Sequence, residues 1–134
     1  MKYKLDHIGY LTGNISETSR YFEILGYVAE KTVNDDTQQT KICFLKKEGE
    51  PTIELVEPYE GNKSMQKMFA KKGVTPYHMC YEVRDIEAAV NHLRGQRFLL
   101  VNGPVPACAM GDRRIAFLFQ KNTGLIELVE AQPR

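Results

Sequence analysis

The chain has 134 residues, enough for one ordinary domain or for two half-size units that share a core. Its hydrophobic fraction of 43% and charged fraction of 26% fit a globular protein, and a net charge of +1 provides no field to recruit nucleic acid. With no signal-like segment and no apolar run that could span a bilayer, we expect a cytoplasmic protein that binds neither nucleic acid nor membrane.

In chain order, the first half predicts a strand, a helix and three further strands. Residues 4–11 alternate His7 with the apolar Ile8 and Tyr10. Ser16 predicts the N-cap of a helix that ends near Gly26. The apolar positions of this helix are Tyr21, Phe22, Ile24 and Leu25. The next strands are expected at residues 27–34, 39–47 and 52–57, and a linking helix at 61–73.

The second half repeats this order. A strand at residues 76–83 leads into a helix that Asp85 caps and that ends near Gly95. The remaining strands are expected at residues 97–102, 113–120 and 125–130. The sequence therefore predicts an α+β fold in a single domain, residues 1–134. Two βαβββ modules in tandem, about 4–58 and 76–131, would form a curved mixed sheet.

The five-residue segment IELVE occurs twice, starting at Ile53 and at Ile126, which lie 73 positions apart. Two strand histidines repeat at nearly the same spacing, at positions 7 and 78. Strand alternation puts each of these histidines, and the first glutamate of each IELVE, opposite the apolar face. His7, Glu54, His78 and Glu127 are therefore expected to share a cleft. The third histidine, His92, falls on the second helix and is expected to be solvated.

This set of four has the chemistry of a metal site, because isolated buried carboxylates are costly unless they are paired or bound to a metal. Two imidazoles and two carboxylates without a thiolate suit Ni, Co, Zn, Fe or Mn. Such an ion stabilises an enolate as it forms, and a neighbouring glutamate can remove the carbon-bound proton. The residues favour proton abstraction next to a carbonyl group and leave oxygen chemistry open.

From Leu5 to Glu130, the chain resembles the vicinal oxygen chelate superfamily, whose paired βαβββ modules carry His on the first strand and Glu on the last. The resemblance implies a small-molecule substrate and, for a chain with one pair of modules, a homodimer. The leading branch is glyoxalase I (lactoylglutathione lyase). It isomerises the hemithioacetal of methylglyoxal and glutathione to S-lactoylglutathione through a metal-bound enediolate.

The glyoxalase I branch implies a role for each residue of the set. Glu127 would be the shuttling base, and Glu54 a ligand and partner base. A compact chain of this kind implies nickel or cobalt, with zinc possible, and glutathione as co-substrate. Candidate anion contacts for the substrate are Arg20, Arg113 and Arg114. Two glutathione-contact positions depart from this branch, near Leu11 and near Pro58.

Methylmalonyl-CoA epimerase is the alternative branch. The stretches YHMCYEVRDIEAAVNHLRGQ and MGDRRIAFLFQKNTGLIELVE are similar to epimerase sequence. Epimerases also carry a Pro-Glu-(Gln/His)-Gly-Val element, where this chain reads DTQQT, with Thr37 in the place of the glutamate. Asp35 or Asp36 could supply that second base only through a shift in register. A non-catalytic small-molecule-binding protein is the second alternative, and a dioxygenase is less favoured because those relatives are longer.

Overall fold

A computed structural model describes residues 1–132 as an α+β protein. The helices are α1 (Ile15–Ile24), α2 (Lys63–Lys72) and α3 (Ile86–Gly95), with a 3-10 turn at Cys108–Met110. The strands are β1 (Lys4–Leu11), β2 (Val28–Ala29), β3 (Val33–Asp35), β4 (Thr40–Lys46), β5 (Thr52–Pro58), β6 (Thr75–Val83), β7 (Leu99–Pro106), β8 (Arg114–Gln120) and β9 (Gly124–Glu130). Within this described part, no helix is both long enough and apolar enough to cross a membrane.

The chain divides into two compact units. The first unit contains residues 7–77, and the second contains residues 1–6 together with residues 78 onward. Each unit has a half-sheet with one helix on its apolar face. The predicted fold class, α+β with two tandem modules of the βαβββ type, is therefore confirmed.

In the first unit, the strands follow the order β2-β4-β5-β1, and β3 also pairs with β4. Strands β1 and β5 run parallel, while β4 is antiparallel to β5, β2 and β3. One face of this half-sheet packs against α1 through the buried side chains of Ile15, Cys43, Leu45, Ile53 and Leu55. The alternation read from the sequence is confirmed, because Ile8 and Tyr10 pack against this core.

The second unit repeats that arrangement with the order β6-β9-β8-β7. Strands β6 and β9 run parallel, and the other two pairs are antiparallel. The buried core under α3 consists of Val83, Ile86, Ala89, Val90, Ala116, Leu118 and Leu128. Asp85 caps α3 as predicted, since its Oδ1 accepts a hydrogen bond from the N–H of Ala88 at 3.0 Å.

The predicted N-cap of the first helix is wrong. Asn14, and not Ser16, caps α1, because its backbone is extended and its Oδ1 accepts from the N–H of Glu17 at 3.0 Å. Of the apolar positions assigned to this helix, only Phe22 packs against the core. Tyr21, Ile24 and Leu25 are exposed. The inward face is completed by Ile15 and Ser19, so a small polar residue occupies a position that apolar spacing alone would not assign.

The single strand expected at residues 27–34 is also interrupted. Ala29 pairs with Leu45 and Val33 pairs with Ile42, so three residues between them oppose two on β4. This extra residue is a β-bulge, which splits the segment into β2 and β3. The corresponding strand of the second unit, β7, also carries register shifts. There Gly103 lies so close to β8 that an added Cβ would be 2.4 Å from the backbone oxygen of Ile115.

A helix, α2, lies in the segment where the linking helix was expected. Asn62 caps it through a hydrogen bond from the N–H of Met65 at 3.3 Å, and it has no fully buried residue. The ring of Phe69 lies directly over Gly13; an added Cβ there would be 2.6 Å from the ring. Gln66 adds hydrogen bonds from its Nε2 to the carbonyls of Pro58 and Tyr59.

Candidate functional site

The first unit brings His7 and Glu54 together on the face opposite α1. Glu54 of β5 lies beside Gly9 of the parallel strand β1, and His7 precedes Gly9 by two residues on the same face. The Nε2 atom of His7 is 3.3 Å from Oε1 of Glu54. Both residues are buried, with 0% and 5% of their surface exposed. We call this pair the first half-site.

The second unit builds the same pair in the same register. Glu127 of β9 lies beside Cys80 of β6, and His78 again precedes that partner by two residues. The Nε2 atom of His78 is 3.0 Å from Oε1 of Glu127, and both residues are buried. We call this pair the second half-site. The repeat seen in the sequence thus corresponds to one local geometry that the chain builds twice.

An aromatic ring lies beside the histidine of each half-site. The sequence motifs did not predict either ring. Phe44 lies opposite Glu54 across β4 and β5, and Phe117 lies opposite Glu127 across β8 and β9. Their rings meet the imidazoles edge-on, at 5.8 Å and 72° for His7 and at 5.5 Å and 87° for His78. The signal was available, because Phe44 and Phe117 are 73 positions apart, the same spacing as the glutamates.

The last glutamate of each IELVE segment points to the opposite face of the sheet. There it accepts a hydrogen bond from the first residue of the helix packed on that face. Oε1 of Glu57 accepts a hydrogen bond from the N–H of Ile15 at 2.9 Å, at the first residue of α1. Glu130 accepts a backbone hydrogen bond from Ile86, the first residue of α3. A carboxylate at a helix N-terminus is favourable because it pairs with free N–H groups and with the helix dipole. Each copy of IELVE therefore supplies one site carboxylate and one carboxylate beside a helix N-terminus.

Each half-site fits a divalent metal ion by distance and by chemistry. Ligand atoms about 2.1 Å from one ion are about 3.0 Å apart at a right angle and about 3.4 Å apart at a tetrahedral angle. The nitrogen-to-oxygen distances of 3.3 Å and 3.0 Å lie within that range. One imidazole nitrogen and one carboxylate oxygen per unit match the preferences of nickel, cobalt and zinc. A direct hydrogen bond from imidazole to carboxylate has a similar length.

The three arginines assigned to substrate binding lie in different surroundings. Arg20 is exposed on α1, with its guanidinium 5.6 Å from the ring of Tyr21. Arg113 donates to Glu82 at 3.4 Å and to the carbonyl of Met110 at 3.3 Å. Arg114 forms ion pairs with Glu130 at 2.8 Å and with Glu87 at 2.9 Å. Substrate binding by these arginines stays a prediction.

The acidic residues near Thr37 have local partners. Asp35 is buried at the end of β3, where its carboxylate accepts from both nitrogen atoms of Gln38, the backbone N at 3.0 Å and the side-chain Nε2 at 3.1 Å. Asp36 is exposed and accepts from the hydroxyl group of Tyr59 at 2.7 Å. Thr37 is exposed in the turn between β3 and β4. The β3–β4 register is regular, with Asp35 opposite Thr40.

The chain matches the model of a known protein family. The model described as "Glyoxalase/Bleomycin resistance protein/Dioxygenase superfamily" matches residues 6–117. That stretch includes His7, Glu54 and His78 and ends before Glu127. No curated protein matches the sequence. The match corresponds to the superfamily that the sequence was found to resemble.

Solved structures with the same fold cover nearly the whole chain. A hypothetical protein from Bacillus halodurans C-125 is 28% identical, with 100% of this chain and 98% of that chain covered and a TM-score of 0.86. The methylmalonyl-CoA epimerase from Mycobacterium tuberculosis is 27% identical, with 97% and 89% covered and a TM-score of 0.84. A Streptomyces coelicolor methylmalonyl-CoA epimerase in complex with 2-nitronate-propionyl-CoA is 22% identical, with 97% and 98% covered and a TM-score of 0.84, a likeness of fold alone.

Proposed function

The chain belongs to the Glyoxalase/Bleomycin resistance protein/Dioxygenase superfamily, and from this we propose that it is a metal-dependent enzyme that moves a proton on a carbon next to a carbonyl group. The observation that carries the proposal is the repeated pair of a buried imidazole and a buried carboxylate, with ligand atoms 3.3 Å and 3.0 Å apart. Members of this superfamily are often enzymes. The proposed substrate is a branched acyl-CoA thioester of the methylmalonyl type.

We propose that His7, Glu54, His78 and Glu127 together hold one divalent ion, with nickel or cobalt preferred and zinc possible. When bound, the ion would act as a Lewis acid toward the substrate carbonyl oxygen. The two imidazoles are neutral ligands, and the aromatic edges of Phe44 and Phe117 restrict their orientation. All four side chains are buried, so bulk water has little access to the proposed ligand atoms.

Glu127 is the proposed general base. Its carboxylate is buried in β9, and its Oε1 is 3.0 Å from His78, so its position is fixed before substrate binds. A positioned base of this kind contributes about 10²- to 10⁴-fold to the rate of proton transfer. Glu54 is the equivalent carboxylate of the first unit and the proposed second proton carrier. In an epimerase, removal by one glutamate and return by the other would invert the carbon.

Epimerisation is the first candidate because the M. tuberculosis epimerase is 27% identical over 97% of this chain. Glyoxalase I, with the methylglyoxal–glutathione hemithioacetal as substrate, is the second candidate. One observation favours it: Thr37 lacks a carboxylate, and Asp35 and Asp36 have hydrogen-bond partners of their own. Under either candidate, Glu54 and Glu127 are the proposed proton carriers.

The test uses metal-stripped protein reloaded separately with Ni, Co and Zn. One aliquot receives a single epimer of methylmalonyl-CoA in D₂O, and deuterium at the α-carbon is followed by NMR; a second receives the hemithioacetal. We expect turnover in the first assay, and Glu127→Gln should lower it by about 10²- to 10⁴-fold. The matched control is Glu130→Gln, the same substitution three residues along on the opposite face, which should retain turnover.

Turnover by Glu127→Gln at the wild-type rate would remove Glu127 from the role of base. Turnover of the hemithioacetal alone would make glyoxalase I the function. If every metal form binds its ion tightly and turns over neither substrate, a non-catalytic binding protein becomes the better description. We also propose a homodimer of single-domain subunits, which sedimentation equilibrium measures directly.

A further inference from the structure

The first unit has a cavity of about 410 Å³ that is separate from the proposed metal site. The residues that line it come from the β1–α1 turn, from β4, from the end of β5 with the loop after it, and from α2. They include Gly13, Lys41, Glu57, Glu60, Gln66 and Phe69, and none of the lining residues belongs to a half-site. The volume lies within the range of small-molecule sites, about 300 to 1,000 Å³. The cavity is therefore large enough to hold a small ligand.

Lys41 supplies a cation to this cavity that is only loosely paired. Its Nζ is 3.7 Å from Oε2 of Glu57, which is beyond hydrogen-bond distance, and 49% of its side chain is exposed. The other oxygen of Glu57 accepts from the N–H of Ile15 at 2.9 Å. Within residues 1–132, the ammonium group of Lys41 makes no hydrogen bond. It therefore retains its N–H groups for an anion.

The equivalent cation of the second unit is fully paired. Arg114 follows Lys41 at the 73-residue spacing of the IELVE segments, and its guanidinium lies 2.8 Å from Glu130 and 2.9 Å from Glu87. At the spacing of the two histidines, the counterpart of Glu87 in the first unit is Ser16. The first unit thus lacks the second carboxylate and has a cavity beside its cation. A carboxylate from a bound ligand would complete the pairing.

Two other lining residues offer hydrogen-bond acceptors. Glu60, in the loop between β5 and α2, is exposed and forms no ion pair with residues 1–132. Gln66 donates from its Nε2 to the carbonyls of Pro58 at 3.1 Å and Tyr59 at 3.2 Å, which fixes its amide group. Its Oε1 accepts no hydrogen bond within the described chain. A ligand ammonium group, with three N–H donors, matches these acceptors.

Aromatic side chains give the cavity its apolar wall. The ring of Phe69 is half-buried and lies against Gly13, where the absence of a Cβ lets it approach. The ring of Tyr59 also lines the cavity, and its hydroxyl group donates to Asp36 at 2.7 Å. Partly exposed aromatic rings offer a large apolar surface to a ligand. The cavity therefore combines a cation, hydrogen-bond acceptors and an apolar wall.

We propose that this cavity binds a free α-amino acid with an apolar side chain. The carboxylate of the ligand accepts from Lys41, its ammonium group donates to Glu60 and Gln66, and its side chain packs against Phe69. A zwitterion fits better than a simple anion, because the lining residues carry two carboxylates and one cation. The volume equals that of roughly 14 molecules of liquid water, and phenylalanine has a similar number of non-hydrogen atoms. This site is independent of the reaction proposed above.

The experiment compares three ligands with the full chain. Calorimetry gives the Kd of L-phenylalanine, of L-phenylalaninamide, which lacks the carboxylate, and of 3-phenylpropionate, which lacks the ammonium group. We expect L-phenylalanine to bind about 10-fold or more tightly than either, the effect of one hydrogen bond to a charged group. In ¹⁵N-labelled protein, L-phenylalanine should shift the amide signals of Gly13, Glu57 and Phe69.

Substitutions then test each charge separately. Lys41→Gln should weaken L-phenylalanine about 10-fold and leave L-phenylalaninamide unchanged, because the amide has no carboxylate to lose. Glu60→Gln should weaken L-phenylalanine and leave 3-phenylpropionate unchanged. Arg114→Gln is the matched control, since it removes the equivalent cation of the second unit, and it should leave the affinity for L-phenylalanine unchanged.

Wild-type protein that fails to bind L-phenylalanine at millimolar concentration overturns the proposal. Equal affinity for L-phenylalanine and 3-phenylpropionate overturns the amino-acid assignment, because the ammonium group then contributes nothing. Equal losses from Lys41→Gln and Arg114→Gln, or amide shifts confined to the two half-sites, overturn the cavity as the binding site. The assays of metal binding and proton exchange do not depend on any of these outcomes.

Discussion

The two half-sites have the same register but different neighbours. In both, a histidine, a glutamate and a phenylalanine occupy matching positions. The residue beside the glutamate differs, being Gly9 in the first unit and Cys80 in the second. The ion pair on the helix side differs as well, with Lys41 3.7 Å from Glu57 and Arg114 2.8 Å from Glu130. The three residues proposed to bind or orient the metal ion are therefore shared by the two units, while their surroundings differ.

The sharpest way to break this comparison is to remove one histidine at a time. If the half-sites share one ion, His7→Ala or His78→Ala should each lower metal affinity by well over the roughly 10- to 100-fold that losing an outer-shell partner costs. Stoichiometry should be one ion per wild-type chain. Titration with cobalt under a competing chelator measures both quantities.

Two ions per chain, with one surviving in each single variant, would mean that the half-sites bind metal separately. Far-UV circular dichroism of the metal-free variants serves as the control for folding. Both histidines are buried, so alanine leaves a small cavity whose effect must be separated from loss of the ligand.

We expect a smaller effect on metal affinity when the aromatic rings are replaced. Phe44→Leu and Phe117→Leu keep apolar bulk but remove the edge-on contact with the imidazole, which is worth about 0.5 to 1.5 kcal/mol. We expect metal affinity to fall by up to about 10-fold in each variant, and by similar factors in both. The visible absorption of the cobalt form should shift as the imidazole reorients.

Phe119→Leu is the control for Phe117→Leu, because Phe119 is on the same strand, β8, and is exposed. A loss of metal affinity in only one of Phe44→Leu and Phe117→Leu would show that the two half-sites contribute unequally to metal binding. No loss in either would remove the rings from the positioning of the imidazoles.

We expect the smallest effect, a change in folding stability, from substitutions in the ion pairs that differ between the two units. The side-chain hydrogen bonds from Arg114 are the main cause of a pKa of Glu130 below its ordinary value of 4.5. Because the folded-state pKa is lowered, the stabilisation is fully present above that ordinary value and is lost as pH falls through the folded-state pKa. Arg114→Gln should therefore lower the urea midpoint slightly at pH 7, and the difference should disappear in acid.

Lys41→Gln should have a still smaller effect on stability, because the first unit's pair is longer and its lysine is more exposed than Arg114. An equal loss from both substitutions at pH 7 would mean that the closer contact adds nothing to stability. A loss from Arg114→Gln that persists below the acid transition would assign the effect to packing of the arginine side chain.

Much of the fold was accessible from the sequence because the chain repeats itself. The matched spacing of His7 with His78, and of Glu54 with Glu127, predicted both modules, and alternation predicted which faces are apolar. Helix and strand types followed from periodicity. The α3 cap at Asp85 also followed, since the residue immediately precedes the apolar helical pattern.

What could not be predicted depends on contacts between strands and turns. Asn14 and Ser16 are both good N-caps, and only the backbone conformation before α1 selects Asn14. The bulge that divides β2 from β3 arises from pairing with β4, which the sequence of residues 27–34 does not display. The pairing of Thr40 with Asp35 likewise needs the register of the hairpin. Phe44 and Phe117 could have been found by carrying the 73-residue spacing one strand further.

The two glutamates of each IELVE have a consequence for misfolding. They are three residues apart and therefore on opposite faces of the strand. If β5 slipped by one residue against its neighbours, every side chain would exchange faces. Glu54 would then enter the apolar layer beside Cys43 and Leu45, and the N-terminus of α1 would lose the carboxylate of Glu57. A wrong register would therefore bury an unpaired carboxylate and also remove a hydrogen bond from the start of α1. The IELVE segment thus favours the correct pairing of β5 as well as providing a site residue.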